Sequence, residues 1–119
     1  MITHANPVVH PRMPGVTVFP MSGQARRGEH QQVLVCVEPH GVIPPHTHDV
    51  DATMRIAAGS GRVLCEGSEH GTEVGPGSCV FFAALGLHGF EAGPEGLIFL
   101  SENGGIVGED GTWDIQFPN

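Results

Sequence analysis

Apolar residues along this chain come in short runs separated by turn-forming residues. From Val33 onward the runs cover residues 33–37, 54–57, 62–65, 78–82, 88–90 and 97–100. Six or more runs of this length, bounded by Gly and Pro, predict an all-β fold, a small antiparallel β-barrel or sandwich. The bounding segments Gly59-Ser-Gly61, Gly75-Pro-Gly77 and Gly93-Pro94 read as turns, because Gly supplies positive φ and Pro fixes the approach. Residues 1–32 carry Pro7, Pro11, Pro14 and Pro20 and read as an N-terminal arm with one short strand at 16–19. Such an arm serves as an edge strand or clasps a partner. Residues 33–119 would form the barrel of a single domain. One segment has a competing reading: Asp49 could cap a helix carrying Val50, Met54 and Ala57 at i, i+4 and i+7, with Gly59 just past its end. The hairpin expected at Gly59-Ser-Gly61 favours strands instead.

Composition narrows the class. With 18 Gly and 10 Pro in 119 residues, the longest stretch free of both is 46–58, which excludes an all-α fold. Five Lys+Arg against 13 Asp+Glu give a net charge of -8, and a surface of that sign repels nucleic-acid phosphates. No apolar run approaches the ~20 residues that cross a bilayer, and the first residues lack the charged-then-apolar pattern of an export signal. The expectation is a cytoplasmic protein. Cys36, Cys65 and Cys79 lie inside apolar runs without a Cys-x-x-Cys, as buried, reduced thiols would. Protonating all eight histidines between about pH 7 and pH 5 would nearly cancel the charge, which predicts poor solubility near pH 5. The dipeptide His-Gly recurs at 40, 70 and 88, but the unequal intervals give no repeat.

The strongest chemical signal is Pro44-Pro45-His46-Thr47-His48. Its two imidazoles stand two residues apart behind a proline pair that forbids a helix. On a strand, positions i and i+2 project from one face, so both rings can reach one ion; a helix would need a spacing of three or four. By itself, His-x-His is equally a polar loop with two exposed rings. His4, His10, His30, His40 and His70 fall in predicted loops and read as solvated.

In its context this segment resembles the cupin superfamily. The first cupin motif runs from a Gly through His-x-His and a Glu to another Gly, and Gly41-Val-Ile-Pro-Pro-His46-Thr-His48 followed by Gly59 is similar to it. The second runs from a Gly through an apolar strand to a third His, as in Gly77-Ser-Cys-Val-Phe-Phe-Ala-Ala-Leu-Gly-Leu-His88. The resemblance covers about residues 33–100. It implies a jelly-roll-like barrel, the double-stranded β-helix, with a metal held by His46, His48 and His88. The chain departs from the pattern at Ala52, where the family places its Glu ligand, at Ala83, where Pro is common, and at Ala92, where a polar residue often follows. Asp51 is a candidate substitute ligand, although on a regular strand it points away from His48 unless a bulge intervenes.

Three neutral imidazoles leave a divalent ion its full +2 charge, with positions open for water or substrate. Fe(II) and Zn are favoured, with Ni and Cu also compatible with imidazole ligands. Within cupins, three-histidine sites resemble those of diketone-cleaving and thiol dioxygenases, which use ferrous iron. The expectation is therefore an Fe(II) dioxygenase acting on a small, chelating, anionic molecule. The alternatives are a non-redox isomerase, cyclase or lyase, and a barrel that binds a small ligand without transforming it. Strand parity puts Met54 and Ile56 on the face of His48, and Phe90 on that of His88, as an apolar substrate wall. Phe81 or Phe82 should face inward, and Arg55 outward. Glu66 and Glu91 are the candidate general bases besides metal-bound water. The arm and the segment 112–117 look able to cover sheet edges, and the expected partner is a second copy in a homodimer.

Overall fold

The computed structural model describes residues 7–21, 32–65, 71–103 and 115–118. Seven strands form one antiparallel, folded sheet: β1 (Val16–Pro20), β2 (Gln32–Val37), β3 (Val42–His46), β4 (Ala52–Cys65), β5 (Thr72–Val74), β6 (Cys79–Phe82) and β7 (His88–Glu102). No helix occurs among the described residues, so the segment after Asp49 is strand.

Two long strands organise the molecule. β4 has 14 residues and β7 has 15, and each belongs to two layers. The first part of β4 pairs with the last part of β7, extended by β2 and β1 on one side and β6 on the other. The remaining parts, Gly61–Cys65 against 88–92, are extended by β3 and β5. Between the two layers, Gly59 faces Leu97 while Gly61 faces Ala92, so two residues of β4 span five of β7. This bulge bends the ladder. The apolar core lies between the layers and holds Val16, Val18, Val33, Val35, Met54, Phe90 and Phe99.

Two predicted turns are therefore corrected. Gly59-Ser-Gly61 and Gly93-Pro94 lie inside continuous strands, because a bulge needs positive φ and close backbone approach as a turn does. Gly75-Pro-Gly77 does turn the chain, with Ser78 N–H on the Gly75 carbonyl at 2.9 Å. Gly59 has φ +84°, and a Cβ there would run into the Gly96 carbonyl. Gly59→Ala is expected to cost at least about 3 kcal/mol, combining left-handed strain with the clash. Gly75 has open space around it and is the control. Urea midpoints that fall equally for Gly59→Ala and Gly75→Ala would remove this account of the bend.

β3 has no apolar run to mark it, because Pro44 and Pro45 interrupt the pattern and cannot donate to a ladder. It survives as an edge strand: Val42 pairs Glu91, Ile43 pairs Phe90, the register shifts across the prolines, and His46 pairs His88. Both chain ends cover edges of their own chain. Val8 bridges Val18, and Gln116 exchanges two 2.9 Å backbone hydrogen bonds with Thr47. The cysteine expectation fails in part: Cys36 is half-buried on the outer face, while Cys65 at a strand end and Cys79 beside Arg55 are exposed. Arg55 does face outward, 3.3 Å from Glu102.

Candidate metal centre

Each histidine is placed by a different local device. His46 ends β3 and His48 follows two residues later, and the alternation turns both rings inward, 4% and 3% exposed. His88 opens β7 directly across from His46 and is 1% exposed. The turn before it is tied to the His48 segment, since Leu85 N–H donates to the His48 carbonyl at 2.7 Å. Phe82 lies flat against His88 at 3.8 Å between centroids and 9° between planes, which settles which phenylalanine faces inward; Phe81 is exposed.

Hydrogen bonding decides which nitrogen of His46 and of His88 faces the centre. His46 Nδ1 donates to the Pro44 carbonyl at 2.7 Å, and His88 Nδ1 donates to the Gly86 carbonyl at 2.9 Å. With Nδ1 protonated in a neutral ring, Nε2 carries the lone pair. His46 Nε2 lies 3.1 Å from His48 Nε2, and one ring nitrogen from each of the three residues falls within 4.8 Å of the others. Two nitrogens about 2.1 Å from one ion stand roughly 3.0 to 3.4 Å apart at right to tetrahedral angles, so this pair has a ligand spacing.

The charge state agrees. Burial lowers His46 to about 4 against the opposing pull of its Pro44 bond, and lowers His48 to about 3 with help from the neighbouring imidazoles. Burial also lowers His88. All three are neutral at pH 7, the form that ligates. His88 Nε2 is buried without a hydrogen-bond partner. An orphaned acceptor in an apolar interior is costly unless something outside the protein chemistry shown here satisfies it. A divalent cation fits this donor set.

The candidate substitute ligand, Asp51, does not join the cluster. It is exposed, and its Oδ1 accepts from Ala84 N–H at 2.8 Å. Lying just outside β4, it braces the turn that leads to His88. Ala52 is buried in the position where a longer acidic side chain was expected. Glu91 faces solvent on the outer side of β7, and Glu66 and His70 lie outside the described residues, as do His4 and His30. Of the other histidines, His10 is a half-buried and His40 an exposed loop residue.

A small, partly open cavity of about 30 Å³ adjoins the histidines. Met54 and Phe90 line it together with His46 and His48, whereas Ile56 is buried but lies off the lining. Sequence reasoning missed much of the rest of the lining. Val16 and Val18 of β1 and Val33 and Val35 of β2 line the cavity, as does Ser101 two residues beyond Phe99. The signal was present as period-two alternation in those strands. Met13 from the arm and Ile115 from the tail also reach the lining, and Phe117 sits 5.8 Å from His46, beneath Arg12.

No protein-family model and no curated protein matches the sequence. Solved structures do. The polyketide cyclase RemF of Streptomyces resistomycificus is 24% identical with a TM-score of 0.68, covering 82% of this chain and 71% of that one. A cupin-like protein of Thermotoga maritima is 17% identical with a TM-score of 0.71, covering 86% and 78%. The DMSP lyase DddQ of Ruegeria pomeroyi is 17% identical with a TM-score of 0.70, covering 82% and 55%. At these identities the likeness is one of fold, and it agrees with the two-layer antiparallel sheet that buries three histidines at its heart: the chain has the cupin fold.

Proposed function

We propose that the protein is a metal-dependent enzyme acting on a small oxygenated molecule, with His46, His48 and His88 as the ligands of one divalent ion. The observation that carries this reading is the buried, partnerless Nε2 of His88 beside the 3.1 Å pair of His46 and His48. An ion held by three neutral imidazoles keeps its full charge and supplies Lewis-acid polarisation of a bound oxygen. The chain's own part is to fix tautomers through Pro44 and Gly86, to pack Phe82 against His88, and to line the adjoining cavity with apolar side chains. Non-redox chemistry, a cyclisation, isomerisation or elimination, is the first reading; a cyclase and a lyase share the fold.

The second reading is the Fe(II) dioxygenase. It is favoured by the lack of any carboxylate or lysine among the described lining residues, because oxygen chemistry at a metal needs no side-chain acid or base. Anaerobic turnover separates the two. Protein stripped with a chelator and reloaded with Zn under nitrogen should convert members of a panel of β-dicarbonyl and hydroxycarbonyl compounds. Conversion that requires Fe and O₂ reverses the order of the readings; saturable binding with no product under either condition leaves a binding protein. A homodimer is proposed from the outer sheet, where Phe81 is 63% and Ile98 36% exposed. Light scattering at the 12.5 kDa of one chain would overturn it.

A further inference from the structure

The histidine centre is too closely covered to admit a substrate as it stands. The cavity beside it measures about 30 Å³, room for little more than water, whereas small-molecule sites enclose roughly 300 Å³ or more. All three rings are buried, and His88 Nε2 is shut off from solvent. A substrate therefore reaches these nitrogens only when part of the cover moves. β1, β2, β4 and β7 are held in continuous ladders. The tail is held by much less: Gln116 bridges Thr47 through two 2.9 Å backbone hydrogen bonds, with half-buried Ile115 and Phe117 packed against the core on either side. Thr47 stands between His46 and His48, Ile115 lines the cavity, and the Phe117 ring lies 5.8 Å from that of His46. Across the ring from the arm comes Arg12, its guanidinium 4.5 Å above the Phe117 centroid. Arg12 is exposed, and there a cation–π contact is weak and readily broken.

We infer that residues 115–117 are a strap that opens to admit ligands to the histidine centre, and that Arg12, by holding the Phe117 ring, is the latch that keeps it shut. This rests on the proposed function only in taking the histidines as the place a ligand must reach; opening and closing belong to the metal-free chain. Release of the strap breaks two backbone bonds and one ring contact and leaves every ladder intact, which makes it a local event, far short of unfolding. The arm is the other loosely held cover, but its bridge runs from Val8 to Val18 in β1, so its release would leave Thr47 tied. Arg12 acts through Phe117 and is a positioning residue, so its removal matters only while the ring is present.

The test uses the full metal-free chain and diethyl pyrocarbonate, which acylates accessible neutral imidazoles, with each histidine read by peptide mass spectrometry. His46 and His48 should react at least about tenfold more slowly than exposed His40, and low concentrations of urea should barely change their rate, because opening the strap exposes little surface. Phe117→Ala should speed them about tenfold and Arg12→Ala about threefold, while Arg12→Lys, which keeps the cation, stays within about twofold of wild type. The double variant should be no faster than Phe117→Ala alone. A residue that merely stabilised the fold would add its effect in both backgrounds. Rates that climb steeply with urea in wild type, an Arg12→Ala effect that persists without Phe117, or His46 reacting as fast as His40 overturns the inference. Arg12→Ala changes an exposed position, so the test stands even where Phe117→Ala does not fold. Metal binding is read separately, by elemental analysis of Zn-loaded protein; a chain that takes up no Zn loses the proposed function and keeps the strap.

Discussion

Replacing His88 with leucine is expected to abolish stoichiometric divalent metal binding while leaving the metal-free protein nearly as stable as before. Structural zinc sites are worth about 10 to 16 kcal/mol over four ligands, or about 3 to 4 kcal/mol each, which corresponds to roughly 10²- to 10³-fold in affinity. The stability half of the result follows from the hydrogen-bond ledger of this residue. His88 contributes one Nδ1 bond to the Gly86 carbonyl, worth about 1 kcal/mol, and one buried Nε2 with no partner, which costs a similar amount. Leucine removes both. Competition with a chromophoric chelator measures affinity, and melting with and without Zn measures the linkage. Wild-type protein should melt several degrees higher with Zn and the variant should not respond. A variant that unfolds without metal, or still binds one ion per chain, would make His88 a structural residue.

This division between the two halves of a histidine was only partly legible in the sequence. Spacing alone placed His46 and His48 on one strand face, and the order of motifs brought His88 to them, because side-chain alternation is a local property of a strand. What alternation cannot carry is a change of register. The bulge opposite Gly59 and Gly96 looks locally like two turns, so two long bent strands read as four short ones. Asp51 illustrates the same limit. Its charge and position suggested a ligand, yet its partner is a backbone N–H 33 residues away, fixed by the turn at 83–86. Ser101 and the β1 wall were overlooked because neither carries a chemical signature; only the folded ladder brings them beside the histidines.

Acidification is expected to destabilise the metal-free protein steeply between about pH 6.5 and pH 4. In the unfolded chain a histidine takes up its proton near pH 6.5. In the folded chain His46 waits until about 4 and His48 until about 3, because burial opposes the charge. Between these values the unfolded state holds more protons, so stability is complete above pH 6.5 and falls as pH drops towards the folded values. Each unit of that gap is worth about 1.4 kcal/mol per imidazole, so at pH 5 the pair costs about 4 kcal/mol, against a typical total of about 5 to 15 kcal/mol. At least these two rings stay neutral in the folded protein at pH 5, which leaves a net negative charge and corrects the expectation that eight protonated histidines would cancel it. Precipitation near pH 5 would then follow from unfolding and not from charge neutrality. Bound Zn raises the whole curve, since it occupies the same lone pairs, and shifts the acid midpoint downward. Urea unfolding at pH 8, 7, 6 and 5 measures the slope, and a double variant, His46→Gln with His48→Gln, should flatten it because glutamine does not titrate. A wild-type slope unchanged in the double variant would assign the acid sensitivity to groups outside the cluster.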